Sequence, residues 1–163
     1  NENGKILLYC HAGCSFNSIV EALGMDVKDF FPEERKAVDE VYTYHDKAGR
    51  PLFEVVRFFP KDFRQRRPNG EWGLGGVKPV LYHLPEVLKA VESSETIFIV
   101  EGEKDADNLK RLGLTATTSP MGAGKWRSCY SDLLQNAQIV ILPDNDEPGR
   151  EHAQKTAKSL NGK

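Results

Sequence analysis

Carboxylate side chains directly follow two short segments that are rich in β-branched residues. Glu101 follows residues 96–100 (TIFIV), and Asp144 and Asp146 follow residues 138–143 (QIVILP). Apolar runs of this composition are typical of strands that are buried on both faces of a sheet. Carboxylate oxygens are the ligands that Mg²⁺ and Mn²⁺ prefer, so these side chains are candidate metal ligands.

A helix pattern lies between the two predicted strands. It covers residues 104–112, with Ala106, Leu109 and Leu112 at helical spacing and Gly113 placed to end the helix. A strand, a helix and a second strand predict a parallel sheet with a right-handed crossover. The carboxyl ends of such strands open into one crevice, so we expect the three carboxylates to meet there.

The second acidic segment, which contains Asp144 and Asp146, allows two other interpretations. Asp144, Asp146 and Gly149 match the first, third and sixth positions of an EF-hand loop, but Lys155 stands where the bidentate Glu belongs, which excludes that loop. The purely structural alternative is a turn whose carboxylates cap a helix beginning near Pro148. Glu101 at the same predicted edge favours the metal site.

The two acidic motifs together resemble the Toprim domain of primases, topoisomerases and some nucleases. Residues 100–106 (VEGEKDA) and 142–150 (LPDNDEPGR) are closest in wording to primase-type Toprim proteins of phages and mobile elements. The likeness covers roughly residues 95–160 and implies an α/β, Rossmann-like parallel sheet with flanking helices. It also implies that Asp105 joins Glu101, Asp144 and Asp146 around Mg²⁺ or Mn²⁺. Primases of this kind usually carry a further acidic pair, and the chain ends at Lys163 before the strand that would carry it.

A Cys-x-x-x-Cys turn precedes a helix pattern near the beginning of the chain. A strand is predicted to run into Cys10 and Cys14, and Ser15 or Asn17 is placed to cap the helix. The turn resembles the second half of the zinc ribbon that precedes primase cores, which implies a partial Zn²⁺ site in a longer parent protein. Zinc requires four ligands, and His11 is too close to Cys10 for both to bind easily. For this stretch alone, two thiols without metal are therefore favoured.

The middle of the chain combines a β-hairpin signature with a basic segment. Two alternating runs flank a turn at Gly49, and a loop-like stretch follows over residues 60–73. Residues 75–85 are predicted to return as a strand, and a short helix follows. Basic side chains neutralise phosphates and aromatic rings stack on bases, so the stretch is a candidate nucleic-acid strip. A solvated loop is an equally good interpretation. The residues of the predicted strip are Lys61, Arg64, Arg66, Arg67 and Trp72.

A glycine-rich loop is predicted after the short strand at residues 115–118. Its Gly122, Gly124 and Lys125 are candidates for holding a phosphate at the same sheet edge, with Lys78 as a weaker candidate. A P-loop is excluded, because Trp126 stands where Ser or Thr would hold magnesium. The alternative is a plain connection in which Lys125 faces solvent.

Composition places limits on the kind of protein. The chain has 163 residues, a formal net charge of −2 and three cysteines, so nucleic acid would bind a local patch, and a reducing cytoplasm is expected. No run approaches a membrane span. We expect a fragment of a longer protein, found in a bacterial or phage-infected cell. Its predicted division is a partial zinc ribbon at 1–30, a linker at 31–40, a hairpin-containing subdomain at 41–90 and a Toprim core at 91–163.

The resemblance implies a DNA primase core. The reaction would be Mg²⁺-dependent nucleotidyl transfer from nucleoside triphosphates, making RNA primers on single-stranded DNA, with Glu101, Asp144 and Asp146 as catalytic residues. A replicative helicase, on the same polypeptide or separate, is the implied partner. A Toprim nuclease and a non-catalytic single-stranded-DNA-binding module of a helicase-primase are the alternatives. Glu103 and Glu147 are expected to be solvated or helix-capping, and the histidines are expected to be isolated.

Overall fold

The computed structural model describes residues 8–30 and 36–161. The chain divides into two compact units, Asn1–Ala37 and Val38–Lys163. Most of the strand predicted before Cys10 and residues 31–35 of the predicted linker lie outside the described residues, so neither prediction is tested. The candidate carboxylates all belong to the second unit.

The first unit contains two short helices, α1 at Phe16–Ala22 and α2 at Val27–Phe30. The hydroxyl of Ser15 accepts a hydrogen bond from the Ser18 backbone N–H at 3.2 Å, so Ser15, and not Asn17, caps α1. The rings of Phe16 and Phe30 meet edge to face at 5.7 Å. The unit thus presents the two cysteines on a turn that leads directly into a capped helix.

The second unit begins with a three-stranded sheet in the order β1-β2-β3. Its strands are β1 at Ala37–His45, β2 at Pro51–Phe59 and β3 at Asp62–Arg66. The predicted hairpin between β1 and β2 is confirmed, with Gly49 at φ +80° in its turn. The carboxylate of Asp46 stabilises that turn by accepting hydrogen bonds from the backbone N–H groups of Ala48 and Arg50, both at 2.9 Å.

Two predictions for the middle of the chain are wrong. The basic stretch is not a loop throughout, because residues 62–66 pair antiparallel with β2, placing Phe63 opposite Arg57. The strand predicted over residues 75–85 does not form. Gly75 and Gly76 adopt φ values of +57° and +87°, which interrupt an extended chain, and the following helix α3 starts within that range, at Leu84–Ser93.

The second sheet is parallel and has the order β5-β4-β6. Its strands are β4 at Thr96–Ile99, β5 at Thr115–Thr117 and β6 at Gln138–Ile141. The helices α4, α5 and α6 cover Glu103–Arg111, Ser128–Leu133 and Glu147–Leu160. The predicted parallel α/β arrangement is therefore confirmed. Ile99 of the central strand pairs with Thr117 on one side and Ile141 on the other, so the three strands end at one edge.

Two clusters of buried side chains hold the second unit together. One joins the antiparallel sheet to α4 and β5 through residues such as Tyr44, Phe53 and Ala106. The other packs α3, α5 and the parallel sheet around residues such as Ile97 and Tyr130. Because α4 starts at the carboxyl edge of β4, the first cluster brings the antiparallel sheet next to that edge. In the described part of the chain, none of the helices has the length and apolar character needed to cross a membrane.

Candidate active site

Glu101 and Asp146 approach each other across the first turn of α6, at Gly149. The Gly149 N–H donates to Oδ1 of Asp146 at 2.8 Å, so Asp146 caps the helix. A methyl group on Gly149 would lie 2.9 Å from Oε2 of Glu101, 3.0 Å from Oδ1 of Asp146 and 2.8 Å from the backbone oxygen of Asp144. The structure therefore brings all three predicted residues together, and glycine is what allows their close approach.

Glu101 has an unusual electrostatic environment. Its Oε2 atom is buried and, among the residues that the structure describes, has no hydrogen-bond partner. Burial raises the pKa of Glu101, the charges of Asp144 and Asp146 raise it further, and the Lys61 ammonium opposes the shift. A buried carboxylate oxygen without a donor is costly for stability, and such costs are characteristic of functional sites.

The donor set fits a hard cation, although a closed cage of ligands is not formed. Mg²⁺ commonly takes one or two carboxylates and completes its shell with water and substrate phosphates. Glu101 and Asp146 offer that chemistry, with the free oxygen of Glu101 already buried beside α6. In residues 8–30 and 36–161, no group of three or more His, Cys, Asp or Glu side chains is arranged to hold a metal ion. The magnesium or manganese site therefore remains a prediction.

A cleft of about 220 Å³ opens beside Glu101. Asp105 and Asp144 also line it, whereas Asp146, which the sequence predicted in the same crevice, is not among its lining residues. Asp105 lies in the first turn of α4, and its Oδ2 would be 3.5 Å from a Cβ atom if residue 102 were not a glycine. The cleft thus gathers acidic groups from β4, α4 and the segment after β6.

The opposite wall of the cleft comes from the antiparallel sheet. Tyr42, Arg57, Lys61 and Phe63 line it, and the Arg57 guanidinium lies 2.9 Å from Asp39 (Nε to Oδ2). The sequence placed Lys61 in the nucleic-acid strip and missed Arg57. Alternation along β2 could have assigned Arg57 to a face of the sheet, but not to this cleft, which depends on how the two sheets pack.

Glu103 also belongs to the cleft, and its predicted solvation is wrong. Only 5% of the residue is exposed, and the Tyr44 hydroxyl donates a hydrogen bond to its Oε1 at 2.8 Å. Burial is the largest cause that raises the pKa of Glu103. The signal was present in the sequence, because Glu103 lies three residues before Ala106 and so shares its buried face of α4.

The arginines of the predicted nucleic-acid strip are each paired with a carboxylate. Arg64 pairs with Asp62 at 3.2 Å, Arg66 pairs with Glu54, and Arg67 pairs with Glu71 at 2.7 Å. Their positive charges are therefore partly compensated within the protein. Lys61 instead lines the cleft and acts electrostatically on Glu101.

Trp72 is the aromatic residue of the strip that remains accessible. It is 53% exposed, its ring centroid is 6.0 Å from that of Phe58, and the Arg66 guanidinium lies 5.9 Å from the indole centroid. An exposed indole beside one guanidinium is suited to stacking on a base. The strip thus offers stacking together with a reduced electrostatic attraction.

The glycine-rich loop reaches the site through Gly122, which lines the cleft. Its backbone N–H groups are largely engaged: Gly124 donates to Nδ1 of His152 at 2.9 Å, and Gly122 and Lys125 each donate to a backbone oxygen at 3.4 Å. Lys125 and Lys78 are exposed and are not among the residues that line the cleft. The loop therefore has few free amides for a phosphate, and a phosphate contact by Lys125 or Lys78 stays a prediction.

The first unit places its two cysteines on one turn. Both thiols are free, and Cys14 is exposed. The pKa of the Cys10 thiol is lowered, chiefly by the backbone N–H of Cys14 and then that of Ala12. A turn that stabilises a thiolate is suited to supplying two of the four ligands of a zinc site. Among the described residues, no third ligand lies close enough to form a metal-binding group with Cys10 and Cys14. The partial zinc site remains a prediction.

The fold of the chain occurs in solved primase structures. The zinc-binding and RNA polymerase domains of the Aquifex aeolicus primase match it with a TM-score of 0.59 and 17% identity, over 90% of this chain and 40% of that one. The primase fragment of the bacteriophage T7 primase-helicase protein matches with a TM-score of 0.55 and 20% identity, over 75% of this chain and 49% of that one. At these identities the likeness concerns the fold.

Sequence comparison finds two relatives, one of which is named a DNA primase. The gene 57 protein of Mycobacterium phage D29 is 36% identical over 86 residues, which is 52% of this chain and 54% of that protein. The DNA primase DnaG of Staphylothermus marinus is 29% identical over 115 residues, covering 69% of this chain and 27% of that protein. The chain therefore spans about half or less of the curated relatives it matches. No family model matches it.

Proposed function

We propose that the chain is the core of a DNA primase, with a Toprim-type active site that joins nucleoside triphosphates into RNA primers on single-stranded DNA. The observation that supports this most directly is the meeting of Glu101, Asp144 and Asp146 at Gly149. A sheet edge built this way matches the chemistry that the acidic motifs predict. The primase fold and the relationship to an archaeal DNA primase support the same proposal.

The residues of the cleft divide the work of binding and proton transfer. Lys61 and Arg57, on the wall opposite the carboxylates, bind the phosphates of the incoming nucleotide and orient it. Asp144 and Asp146 would hold Mg²⁺ or Mn²⁺, with Asp105 nearby, and the ion would neutralise charge on the phosphates. Glu101 would either complete the metal cluster or act as the general base for the attacking hydroxyl.

The template is bound outside the cleft in this proposal. The exposed indole of Trp72 stacks on a base, and Lys61 connects the strip to the cleft. In a longer parent protein Cys10 and Cys14 would supply two of the four ligands of a zinc site, and a replicative helicase is the partner. The T7 match, which is a primase-helicase protein, supports that association. A cytoplasmic location is consistent with these partners.

The proposal is tested by nucleotide incorporation in the full-length protein that contains this chain. Single-stranded DNA, labelled nucleoside triphosphates and Mg²⁺ are supplied, and primers are resolved by length. Asp146→Asn should abolish incorporation without unfolding the protein, because asparagine still caps α6 while losing the charge. Glu147→Gln is the matched control, since Glu147 is an exposed carboxylate on the next residue.

Three results separate the candidates. Primers from the parent and from Glu147→Gln, with none from Asp146→Asn, support the primase. Strand cutting that requires Asp146, without incorporation, would establish a nuclease instead. Binding of single-stranded DNA without either reaction would leave the non-catalytic module as the function.

A further inference from the structure

His152 makes a specific hydrogen bond that the sequence did not predict. It lies on α6, is only 7% exposed, and its Nδ1 accepts the backbone N–H of Gly124 at 2.9 Å. An imidazole nitrogen can accept only when it carries no proton, so the ring is neutral with its proton on Nε2. Gly149, His152 and Thr156 form the buried face of α6, which is why a histidine at this position reaches the interior.

The other hydrogen bonds within the loop are long, since Gly122 and Lys125 each donate to a loop carbonyl at 3.4 Å, so the acceptor on His152 is the shorter bond and ties the loop to α6. Gly122 and Gly124 adopt φ values of +73° and +77°, and glycine is the residue that loses most freedom when it is ordered. One further contact anchors the end of the loop: the Trp126 Nε1–H donates to Oγ of Ser131 at 2.9 Å. The hydroxyl of Ser131 lies 2.7 Å from that of Ser159, also on α6. Both anchors therefore lead to the helix that Asp146 caps.

We propose that His152 is a positioning residue that sets the glycine-rich loop, and with it Gly122, at the edge of the cleft where nucleotide phosphates bind. The hydrogen bond is inferred from the geometry alone. The identity of the ligand, a nucleoside triphosphate, depends on the proposed function. Because α6 begins at Asp146 and carries His152 two turns later, one rigid helix fixes both the acidic residue and the loop. A shift of the loop would move Gly122, which lines the cleft and on which an added Cβ would lie 4.0 Å from the backbone oxygen of Glu101.

The surroundings of His152 keep its acceptor available. Burial is the main cause that lowers the pKa of His152, and the Lys155 ammonium on the next turn lowers it further. Glu101 lines the same small cavity as His152, beside Ile99 and Ile141 of the sheet. Lys125 follows directly after Gly124 on the loop. At neutral pH the imidazole therefore remains an acceptor.

Three substitutions distinguish a positioning role from simple packing. His152→Asn places a side-chain oxygen where Nδ1 lies, keeping an acceptor. His152→Leu keeps an apolar side chain of similar bulk and removes the acceptor. Thr156→Val is the control, since Thr156 is fully buried on the same face of α6 and its hydroxyl has no hydrogen-bond partner among the described residues. Circular dichroism establishes that each variant is folded before it is compared.

Hydrogen exchange of the Gly124 amide is the first measurement. We expect exchange about 2- to 10-fold faster in His152→Leu, the range that one neutral hydrogen bond is worth. His152→Asn should restore most of the protection, and Thr156→Val should leave it unchanged. Equal protection in the parent and in His152→Leu would overturn the proposal, because the bond would then not hold the loop.

Nucleotide binding is the second measurement, made by titrating adenosine triphosphate in Mg²⁺ buffer. His152→Leu should weaken binding by a similar factor and raise KM for the nucleotide while leaving kcat nearly unchanged. If the parent binds nucleotide and His152→Leu binds it equally well, only the role of His152 fails. If the parent itself binds no nucleotide, the proposed function fails and the positioning role fails with it.

Discussion

Replacing Gly149 with alanine tests whether the meeting of carboxylates is what the protein uses. The added methyl would lie 2.8 Å from the Asp144 backbone oxygen, 2.9 Å from Oε2 of Glu101 and 3.0 Å from Oδ1 of Asp146. Ordinary contact begins near 3.4 Å, so each oxygen must retreat by about half an ångström. The backbone oxygen cannot move without shifting the start of α6. We expect the Glu101 and Asp146 carboxylates to be displaced from each other, and Glu101 to shift within the cleft that it lines.

The magnitude follows from two opposing effects. Alanine favours a helix over glycine by about 0.5–1 kcal/mol, and Gly149 has no left-handed φ that would penalise it. Overpacking of a tight site costs about 1–3 kcal/mol. The net loss of unfolding free energy is thus expected to be modest, at about 1–2 kcal/mol. Misplacing reacting groups by about 1 Å can cost about 100-fold in rate, so a loss of at least about 10-fold in incorporation is expected.

The assay compares incorporation with stability in the same samples. Urea unfolding gives the change in stability, and primer synthesis at a temperature where all variants are folded gives the change in rate. Lys158→Ala is the control, because Lys158 is an exposed residue of the same helix and does not line the cleft. Full incorporation by Gly149→Ala, with Lys158→Ala equally active, would refute the role given to this contact.

Two further predictions concern charge. Glu103→Gln should flatten the pH dependence of stability. Because the pKa of Glu103 is raised in the folded protein, the folded protein keeps a proton that the unfolded chain has already released. This contribution to stability is therefore fully present below the pKa of the unfolded state and is lost as pH rises through the pKa of the folded state. Urea unfolding between pH 4 and 8 should show the free energy of unfolding of the variant rising relative to that of the parent as pH rises. If the two proteins show the same pH dependence of unfolding free energy, Glu103 does not have a raised pKa in the folded protein. Replacing Arg64, Arg66 and Arg67 with alanine should weaken binding of single-stranded DNA but lower the log–log salt slope by less than the roughly 0.7 per free cation, because each arginine is already paired with a carboxylate. A salt titration that shows the full reduction of about 2 would mean that these pairs open when DNA binds.

Local sequence determined the parallel half of the protein and its acidic edge. Two β-branched runs with a helix between them predict parallel strands, and the carboxyl ends of parallel strands lie at the same edge of the sheet. Glu101 and Asp144 could therefore be placed together before any contact was known, and the cleft lined by both agrees with that placement. Turn chemistry was equally local, as at Gly49.

Tertiary structure decided which charges are buried and which are compensated. The sequence predicted a loop for the basic stretch, whereas in the structure part of it pairs with β2. There Arg66 pairs with Glu54, which lies twelve positions earlier in the chain. Glu103 is buried because Tyr44, fifty-nine residues away, supplies the donor that a carboxyl needs in the interior. Composition and periodicity describe a residue's own segment, whereas burial and ion pairing depend on a partner that only the packing of the two sheets brings near. For the same reason, the sequence named the carboxylates of the cleft, and the fold supplied the wall of Arg57 and Lys61 that faces them.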